Sequence, residues 1–229
     1  MGIPLLFIGS SEENLRFGRY YLEGKNMKKD ASRQHGNLLK YIATIALFVC
    51  YMRANAVEVF FSPGPDCEDK IVGAIDNSKK EVVAAVYSLN NTRIVEALQK
   101  AFKRGISVRV LTDRVQASNR ASGVLTLWET GLPIRVNSVY KIEHNKFGVF
   151  DKTLAVTGSF NWTNAARHVN SENCLVLNEE NAISAFHKRF EDLWGLNTEA
   201  KSLPYLKKLA AKSSPQKTPR TIASEPTAK

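Results

Sequence analysis

The sequence predicts an α/β fold, with a mixed, largely parallel sheet flanked by helices. Two apolar runs carry this prediction, EVVAAVYS at residues 81–88 and ISVRVLT at residues 106–112. Uninterrupted apolar runs of this length are typical of strands buried on both faces. Between them the pattern predicts an amphipathic helix that begins at Asn91 or Thr92 and runs through Arg104. A strand, a helix and a second strand in this order indicate a right-handed βαβ unit with parallel strands.

The same alternation of strands and helices continues on both sides of this unit. Further strands are predicted at residues 57–61, 134–136 and 173–177, and further helices at 67–78, 123–130 and 181–193. We expect Asp66 to cap the helix that follows it. The segment 113–122 is polar, and its Arg114 and Arg120 either line a substrate groove or are simply solvated.

Charge is distributed unevenly along the 229 residues, whose formal net charge is +10. Residues 1–56 have 8 basic and 4 acidic side chains, residues 57–196 have 17 and 16, and residues 197–229 have 7 and 2, which gives +4, +1 and +5. The apolar share of 44% suits a folded core and excludes a fibrous or wholly disordered chain. Because the expected core is nearly neutral, its bulk charge does not by itself indicate a nucleic-acid-binding protein.

The first part of the chain, residues 1–56, is predicted to be a leader with a signal peptide. The apolar run YIATIALFVCYM at 41–52 follows several basic residues and precedes Ala-Asn-Ala, which is the pattern of a secretory signal. We expect translation to start at Met27 and cleavage to follow Ala56, which would make the protein periplasmic or secreted. An uncleaved signal that anchors the protein is the alternative.

Two further expectations concern the rest of the chain. Residues 57–196 are predicted to form the folded domain, and residues 197–229 a basic, largely disordered tail in which 201–211 could extend the last helix. Cleavage of the leader would leave Cys67 and Cys174, which an oxidising compartment would allow to pair. Two separate buried thiols are an equally good interpretation.

A pair of strand-like runs near the middle of the chain concentrates polar side chains. His144 and Lys146 are two residues apart in one run, and Ser159 and Asn161 in the next. Side chains two apart on a strand share a face. If a loop with an even number of residues joins the runs at Asp151 to Leu154, Phe150 pairs with Ala155, Lys146 with Ser159 and His144 with Asn161. All four polar side chains would then converge on one patch.

These residues carry a resemblance to a known family. The spacing His144-x-Lys146-x4-Asp151, followed by Gly158-Ser159-x-Asn161, resembles the HKD signature of the phospholipase D superfamily. From about Val57 to Gly195 the chain is similar to the short bacterial phospholipase-D-like endonucleases, a group that also resembles mitochondrial phospholipase D. The similarity includes Tyr87-Ser88, the run TGSFNWT and Ser171-Glu172-Asn173. It implies a phospholipase D-like α/β/α sandwich over residues 57–196.

The resemblance also implies roles for these residues in phosphodiester hydrolysis. His144 would attack phosphorus and form a phosphohistidine, while Lys146 and Asn161 would stabilise the phosphoryl oxygens. Ser159 would support the site by hydrogen bonding, and Glu172 would hold the His144 ring in the correct tautomer. By its position at the turn, Asp151 is expected to be a structural support.

Some of these residues have simpler interpretations. Ser159 and Asn161 could cap turns, and Glu172 could be an exposed strand carboxylate. Phe160 and Trp162 are more often core residues than platforms on which bases stack.

The chemistry of the superfamily uses two histidines, but this sequence has a single His-x-Lys motif. We therefore expect a symmetric homodimer in which two copies of His144 share one active site. No cofactor and no metal is expected, because a histidine and a lysine suffice for the reaction.

For the function, the sequence favours a nonspecific endonuclease on DNA or RNA, since the resemblance is to short endonucleases. The alternative is a phospholipase D acting on membrane phospholipids, in which Val139, Tyr140 and Phe160 would form an apolar rim. A catalytically silent binding module is the third possibility, against which the complete motif argues.

Overall fold

The computed structural model of the chain describes residues 57–213, together with residues 38 and 40–45. Its strands are β1 (Glu58–Ser62), β2 (Glu81–Val86), β3 (Ser107–Thr112), β4 (Ile134–Val136), β5 (Lys146–Phe150), β6 (Leu154–Gly158) and β7 (Glu172–Leu177). Its helices are α1 (Asp66–Asn77), α2 (Thr92–Lys103), α3 (Arg114–Ala117), α4 (Val124–Glu129), α5 (Asn164–His168), α6 (Glu180–Leu196) and α7 (Glu199–Ser213).

The seven strands form one mixed sheet in the order β1-β7-β6-β5-β2-β3-β4. β2 and β3 are parallel, as the βαβ prediction requires, and β4 continues the parallel half. The four other pairs are antiparallel, so the expectation of a largely parallel sheet is wrong. The physical reason is that β5 lies antiparallel to β2 and continues into β6 through a hairpin, whose short turn can join only antiparallel strands.

Helices cover both faces of the sheet, which confirms the predicted three-layer sandwich. On one face a large core includes Ile71 of α1, Leu98 of α2 and Leu127 of α4. On the other face α6 buries Ile183, Phe190 and Leu193 against the central strands. β2 is an interior strand of the sheet, and its residues from Val82 to Val86 are fully buried because their side chains alternate between the two cores.

The amino-terminal ends of two helices show how local sequence sets the fold. Asn91 caps α2, since its side chain accepts a hydrogen bond from the N–H of Ile94 at 3.0 Å. The predicted cap of α1 is wrong, because Asp66 is the first residue of that helix and Pro65 occupies the capping position without a side-chain bond.

Two short helices were not predicted from the sequence, and a third was predicted only as part of another helix. α3 and α5 fell in segments that carry no helical periodicity, and each begins with a capping side chain, Asp113 or Thr163. Residues 201–211, which the sequence allowed to extend the last helix, are helical, but they belong to the separate helix α7. Its Leu206 is buried, and the buried Ser202 hydroxyl accepts a hydrogen bond from the N–H of Val136 at 3.1 Å. α7 thereby covers the edge strand β4.

Helix α1 is joined to its neighbours in two ways. Cys67 and Cys174 form a disulfide that joins α1 to β7, which resolves the two interpretations of these cysteines. The buried Glu68 carboxylate accepts hydrogen bonds from Asn91 at 2.7 Å and from Arg167 of α5 at 2.9 Å. These contacts join α1 to the beginning of α2 and to α5.

The chain divides into two units, residues 1–54 and residues 55–229. Of the first unit, residues 38 and 40–45 are described, and they are helical and exposed. The predicted start at Met27 and the predicted cleavage after Ala56 lie outside the described residues, as does the tail beyond Ser213. Within the described ranges, no helix is both long and apolar enough to cross a membrane.

Candidate active site

The β5–β6 hairpin has a register one residue away from the predicted one. Phe150 lies opposite Leu154, whereas the sequence predicted Phe150 opposite Ala155. The turn therefore holds an odd number of residues. Asp151 and Lys152 both adopt the left-handed conformation there, with φ of 51° and 57°. Aspartate tolerates this conformation, but no rule of turn composition made the shorter, odd-numbered turn predictable.

The predicted pairings of Lys146 with Ser159 and of His144 with Asn161 are consequently wrong. Lys146 is the first residue of β5 and pairs with Val86 on the opposite side from β6. His144 precedes the strand, in a loop. The polar residues are therefore brought to one region by the ends of several strands, and not by one ladder of cross-strand pairs.

The end of β6 contains a bulge that turns the chain. The N–H groups of Ser159 and Phe160 both donate to the carbonyl of Asn173, at 3.1 and 3.2 Å. Gly158, just before them, has a φ of 146°, and a Cβ at this position would lie 2.4 Å from the same carbonyl oxygen. Only glycine fits this close approach, so the glycine of the TGSFN run has a structural cause.

Lys146 and Glu172 lie on the same face of the sheet, at the same end. Along β5, Lys146 is an even number of residues from Phe150, and along β7 Glu172 is two residues from Cys174. Phe150 and Cys174 both belong to the larger core, so all four side chains share that face. The negative charge of Glu172 accordingly favours the protonated form of Lys146.

The exposed imidazole of His144 packs against Tyr87, which follows β2, with ring centroids 4.6 Å apart. The ammonium group of Lys146 donates to the carbonyl of His144 at 2.6 Å and lies 5.0 Å from the centre of the same Tyr87 ring. Burial lowers the pKa of Lys146 below its usual value, and the charges of Glu172 and Glu143 oppose this only in part. One aromatic ring thus contacts both residues of the His-x-Lys motif.

Buried polar groups hold the backbone on both sides of His144. The N–H of Glu143 donates to the carboxylate of Asp113 at 3.1 Å, and both of these side chains are buried. The Glu143 carboxylate in turn accepts from the N–H of Asn145 at 3.2 Å. The N–H of Tyr87 donates to the carbonyl of Asn145 at 2.8 Å, which ties the loop to the end of β2. His144 is exposed, but its position is fixed.

Ser159 and Glu172 form a directly hydrogen-bonded pair. The hydroxyl of Ser159 donates to Glu172 at 2.6 Å and accepts from the N–H of Asn173 at 3.0 Å. The second carboxylate oxygen of Glu172 accepts from the side chain of Asn170 at 3.0 Å. In the part of the chain that the structure describes, Glu172 makes no hydrogen bond to His144, so the predicted role in holding its tautomer is not seen within one protomer.

Asn161 lies between two aromatic core residues. Phe160 and Trp162 are buried, which confirms that they belong to the core and leaves them no part in an exposed rim or a stacking platform. The carbonyl oxygen of the Asn161 side chain is buried and has no hydrogen-bond partner among the described residues. An acceptor left in this way is costly, and such groups are concentrated at functional sites.

Comparisons with known proteins identify the family. Residues 71–194, more than half of the chain, match the family model described as "Cardiolipin synthase, PLD-like domain". The chain belongs to this PLD-like family. The resemblance inferred from the HKD motif is confirmed.

Curated relatives carry two kinds of name. A protein of Rickettsia conorii named phospholipase D is 30% identical over 132 residues, which cover 58% of this chain and 66% of the relative. A protein of Chlamydomonas reinhardtii named mitochondrial cardiolipin hydrolase is 26% identical over 136 residues, covering 59% of this chain and 61% of the relative. The chain thus spans just under two thirds of the length of these relatives.

Two solved structures share this fold. Nuc from Salmonella typhimurium, a phospholipase D family member, is 32% identical, and the match covers 62% of this chain and 96% of Nuc with a TM-score of 0.59. NucT from Helicobacter pylori, at 20% identity and a TM-score of 0.55, resembles the chain in fold.

In this PLD-like chain, the third residue of the HKD motif lies far from the other two. Asp151 is at the opposite end of β5 from Lys146, where its carboxylate accepts hydrogen bonds from the N–H groups of Lys79, Lys80 and Glu81 at 2.7, 2.7 and 2.9 Å. Burial alone would raise the pKa of Asp151, but these backbone donors outweigh it and hold the pKa below its usual value. Asp151 fastens the turn to the beginning of β2.

The two other histidines of the described domain are placed differently from His144. The ring of His187, on α6, lies 3.0 Å from the carboxylate of Glu81, in a cluster with Arg109 and Glu191 at the Asp151 end of the sheet. His168 is exposed at the end of α5. Among the described residues, no group of three or more His, Cys, Asp or Glu side chains is arranged as a metal site.

The sequence missed three residues that shape the site. The sequence indicated Tyr87 only through the family resemblance, and it predicted no role in the site for Glu143 or Asp113. Asp113 directly follows a buried strand and precedes a polar segment, which is a usable signal for a capping residue. For Glu143 there was no signal, because its burial depends on how the loop that contains it packs against the rest of the domain. Arg114 and Arg120, the candidate groove residues, are both exposed.

Proposed function

We propose that this protein hydrolyses phosphodiesters, with His144 as the nucleophile. The observation that carries the proposal is an exposed imidazole held by a buried scaffold beside the ammonium group of Lys146. A ring nitrogen of His144 attacks phosphorus, the bond to the leaving oxygen breaks, and a phosphohistidine forms. Water then attacks this intermediate and releases the phosphate product and the free imidazole.

The other residues of the site support this reaction. Lys146 neutralises charge on the non-bridging phosphoryl oxygens, and the amide of Asn161 donates hydrogen bonds beside it. The pair formed by Ser159 and Glu172 fixes the end of β7 next to these groups. Each oxygen of Glu172 accepts one hydrogen bond and retains a second lone pair, so Glu172 can still accept from an imidazole.

A second copy of the chain completes the site. The leaving oxygen needs a proton in the first step, and water must lose one in the second, which is the task of a general acid and base. Among the described histidines, His187 is engaged with Glu81 and His168 lies outside the His-x-Lys motif. A two-fold symmetric homodimer supplies His144 of the second copy for this role, and that imidazole is the one which Glu172 orients.

Two substrate classes are compatible with this chemistry. Nucleic acid is supported by the similarity to Nuc, which extends over 96% of that protein, although the folded domain is nearly neutral. Phospholipid is supported by relatives named phospholipase D and cardiolipin hydrolase, and by large apolar side chains exposed in the loop before His144. The disulfide between Cys67 and Cys174 supports an exported protein, since such bonds persist in oxidising compartments.

One experiment tests the reaction and the substrate together. The purified protein is incubated in excess EDTA with plasmid DNA and with phospholipid vesicles, alongside His144→Ala. We expect turnover of at least one substrate, and its loss in the variant. Turnover that survives in His144→Ala would refute the nucleophile, and no turnover of either substrate would favour a silent binding module. Loss of all activity in EDTA would refute a metal-independent reaction.

A further inference from the structure

The loop that leads into His144 exposes large apolar side chains. Val139, Tyr140 and Ile142 are 46, 44 and 49% exposed, and they surround Lys141, which is also exposed. They lie two to five residues before the catalytic imidazole. Isolated exposed apolar residues need no explanation, but a group beside an active site does.

This exposure is built into the fold. The side chain of Asn137, which is 3% exposed, accepts from the N–H groups of Val139 and Tyr140 at 3.2 and 3.0 Å and donates to the carbonyl of Tyr140 at 2.7 Å. At the other end of the loop, Glu143 donates to Asp113. Buried groups thus hold the backbone at both ends of the loop in the conformation that exposes these side chains.

A fourth apolar side chain extends the same surface. Val115 is 65% exposed, and its N–H donates to Asp113 at 2.8 Å, the residue that also binds the N–H of Glu143. One buried carboxylate therefore links the two exposed apolar segments, one of which leads into His144. We call Val115, Val139, Tyr140 and Ile142 the apolar rim.

Cations accompany the rim. Lys141 lies within it, Arg114 precedes Val115, and the guanidinium of Arg189 on α6 is 5.7 Å from the ring of Tyr140. Apolar and aromatic side chains interspersed with exposed cations are typical of surfaces that bind anionic membranes. A two-fold contact between rims would instead bring these cations close to those of the second copy, which is unfavourable.

We propose that the apolar rim docks on the surface of a phospholipid bilayer that contains anionic headgroups. The proposal rests on the function proposed above and names its substrate class. Docking inserts the rim side chains among the headgroups and places His144 and Lys146 at the level of the lipid phosphodiesters. The phosphorus of a lipid in the bilayer would then reach His144 without the lipid leaving the interface.

The test measures binding and chemistry separately. Cosedimentation with vesicles is measured for the wild type, for the double variant Val139→Ser with Ile142→Ser, and for Lys141→Glu. The vesicles consist of phosphatidylcholine alone or with phosphatidylglycerol. Val59→Ser is the matched control, because Val59 is 50% exposed on β1, outside the rim. Hydrolysis of the soluble diester bis(p-nitrophenyl) phosphate reports the chemistry without a membrane.

We expect the wild type to bind the anionic vesicles, and the double variant and Lys141→Glu to bind them about tenfold more weakly. Val59→Ser should bind like the wild type. Equal binding by all four proteins would refute the rim. A double variant that is monomeric and has lost soluble diester hydrolysis would show that the rim joins two copies, which also overturns the proposal. Failure of the wild type to cleave the soluble diester while it still binds vesicles would refute the chemistry alone.

Discussion

The two ends of strand β5 use the same motif for opposite purposes. At its beginning, among the described residues, the exposed His144 retains free ring nitrogens, and the ammonium group of Lys146 makes a single hydrogen bond, to the carbonyl of His144. In the part of the chain that the structure describes, the buried side-chain oxygen of Asn161 has no hydrogen-bond partner. At its end, Asp151 accepts three backbone hydrogen bonds, and Glu81 beside it lies in a cluster of ion pairs. The polar groups at the Asp151 end are hydrogen-bonded within the fold, and those at the His144 end are hydrogen-bonded only in part.

The residues of one motif therefore have two different roles, reactivity at the His144 end of β5 and stability at the Asp151 end. Unpaired polar groups are costly, so a fold retains them where a substrate will supply the missing partner. The satisfied end provides the stability that the other end lacks. The comparison predicts that substitutions at the His144 end change activity with little effect on stability, and that substitutions at the Asp151 end do the reverse.

The largest effect is expected from His144→Ala. Loss of the nucleophile should reduce kcat by about 10⁴-fold or more, while the free energy of unfolding changes by less than about 0.5 kcal/mol because the side chain is exposed. Soluble diester hydrolysis and urea denaturation measure the two quantities.

Mixing this variant with the wild type tests whether two copies of His144 share one active site. If both copies of His144 serve one site, activity follows the square of the wild-type fraction, so an equal mixture that has exchanged subunits retains about a quarter. Activity proportional to the wild-type fraction would contradict the shared site.

At the other end, Asp151→Ala should destabilise the fold by about 2–3 kcal/mol, because three backbone N–H groups lose a charged acceptor. Asp151→Asn is the control, since asparagine retains one acceptor and tolerates the left-handed conformation. The pKa of Asp151 is lowered in the folded state, so its contribution is complete above the ordinary value of 3.8 and is lost as the pH falls through the folded value. Denaturation curves at neutral and acid pH measure this. A variant that keeps its stability but loses activity per folded molecule would refute the division between the two ends.

The sequence could predict the parts of the fold that local pattern determines. The buried runs predicted β2 and β3 and their parallel pairing. The HKD spacing singled out His144 and Lys146, which the structure brings together on the ring of Tyr87. What it could not predict depends on long-range packing. The antiparallel half of the sheet follows from how the chain returns after β4, and nothing in the pattern fixed that route.

The candidate site shows the same limit on a smaller scale. An odd turn at Asp151 moved the register by one residue, and a one-residue change alters every pairing. The bulge after Gly158 and the buried Glu143 also arise from packing. Residue types in a motif can therefore be recognised before their mutual geometry can.

A smaller effect on activity is expected from Tyr87→Leu. Loss of the ring removes the contact with His144 and the cation–π contact with Lys146, together worth about tenfold in kcat/KM. Tyr87→Phe is the control, because it keeps the ring and loses only the hydroxyl that accepts from Gln116. Equal activity of the Leu and Phe variants would show that the ring does not position the two residues.

The smallest effect is expected in the pH profile of activity, which tests whether Lys146 must be protonated. Burial lowers the pKa of this ammonium group, and it must be protonated to neutralise the phosphoryl oxygens, so the alkaline decline in activity should begin below the ordinary value of 10.5. Lys146→Arg keeps its charge throughout this range, and we expect a lower maximum but no decline there. Tyr87→Phe, which has no phenol to titrate, should decline at the same pH as the wild type. If the decline persists unchanged in Lys146→Arg, it arises from the titration of a group other than Lys146. The pH dependence at the His144 end of β5 would then not be set by the lysine.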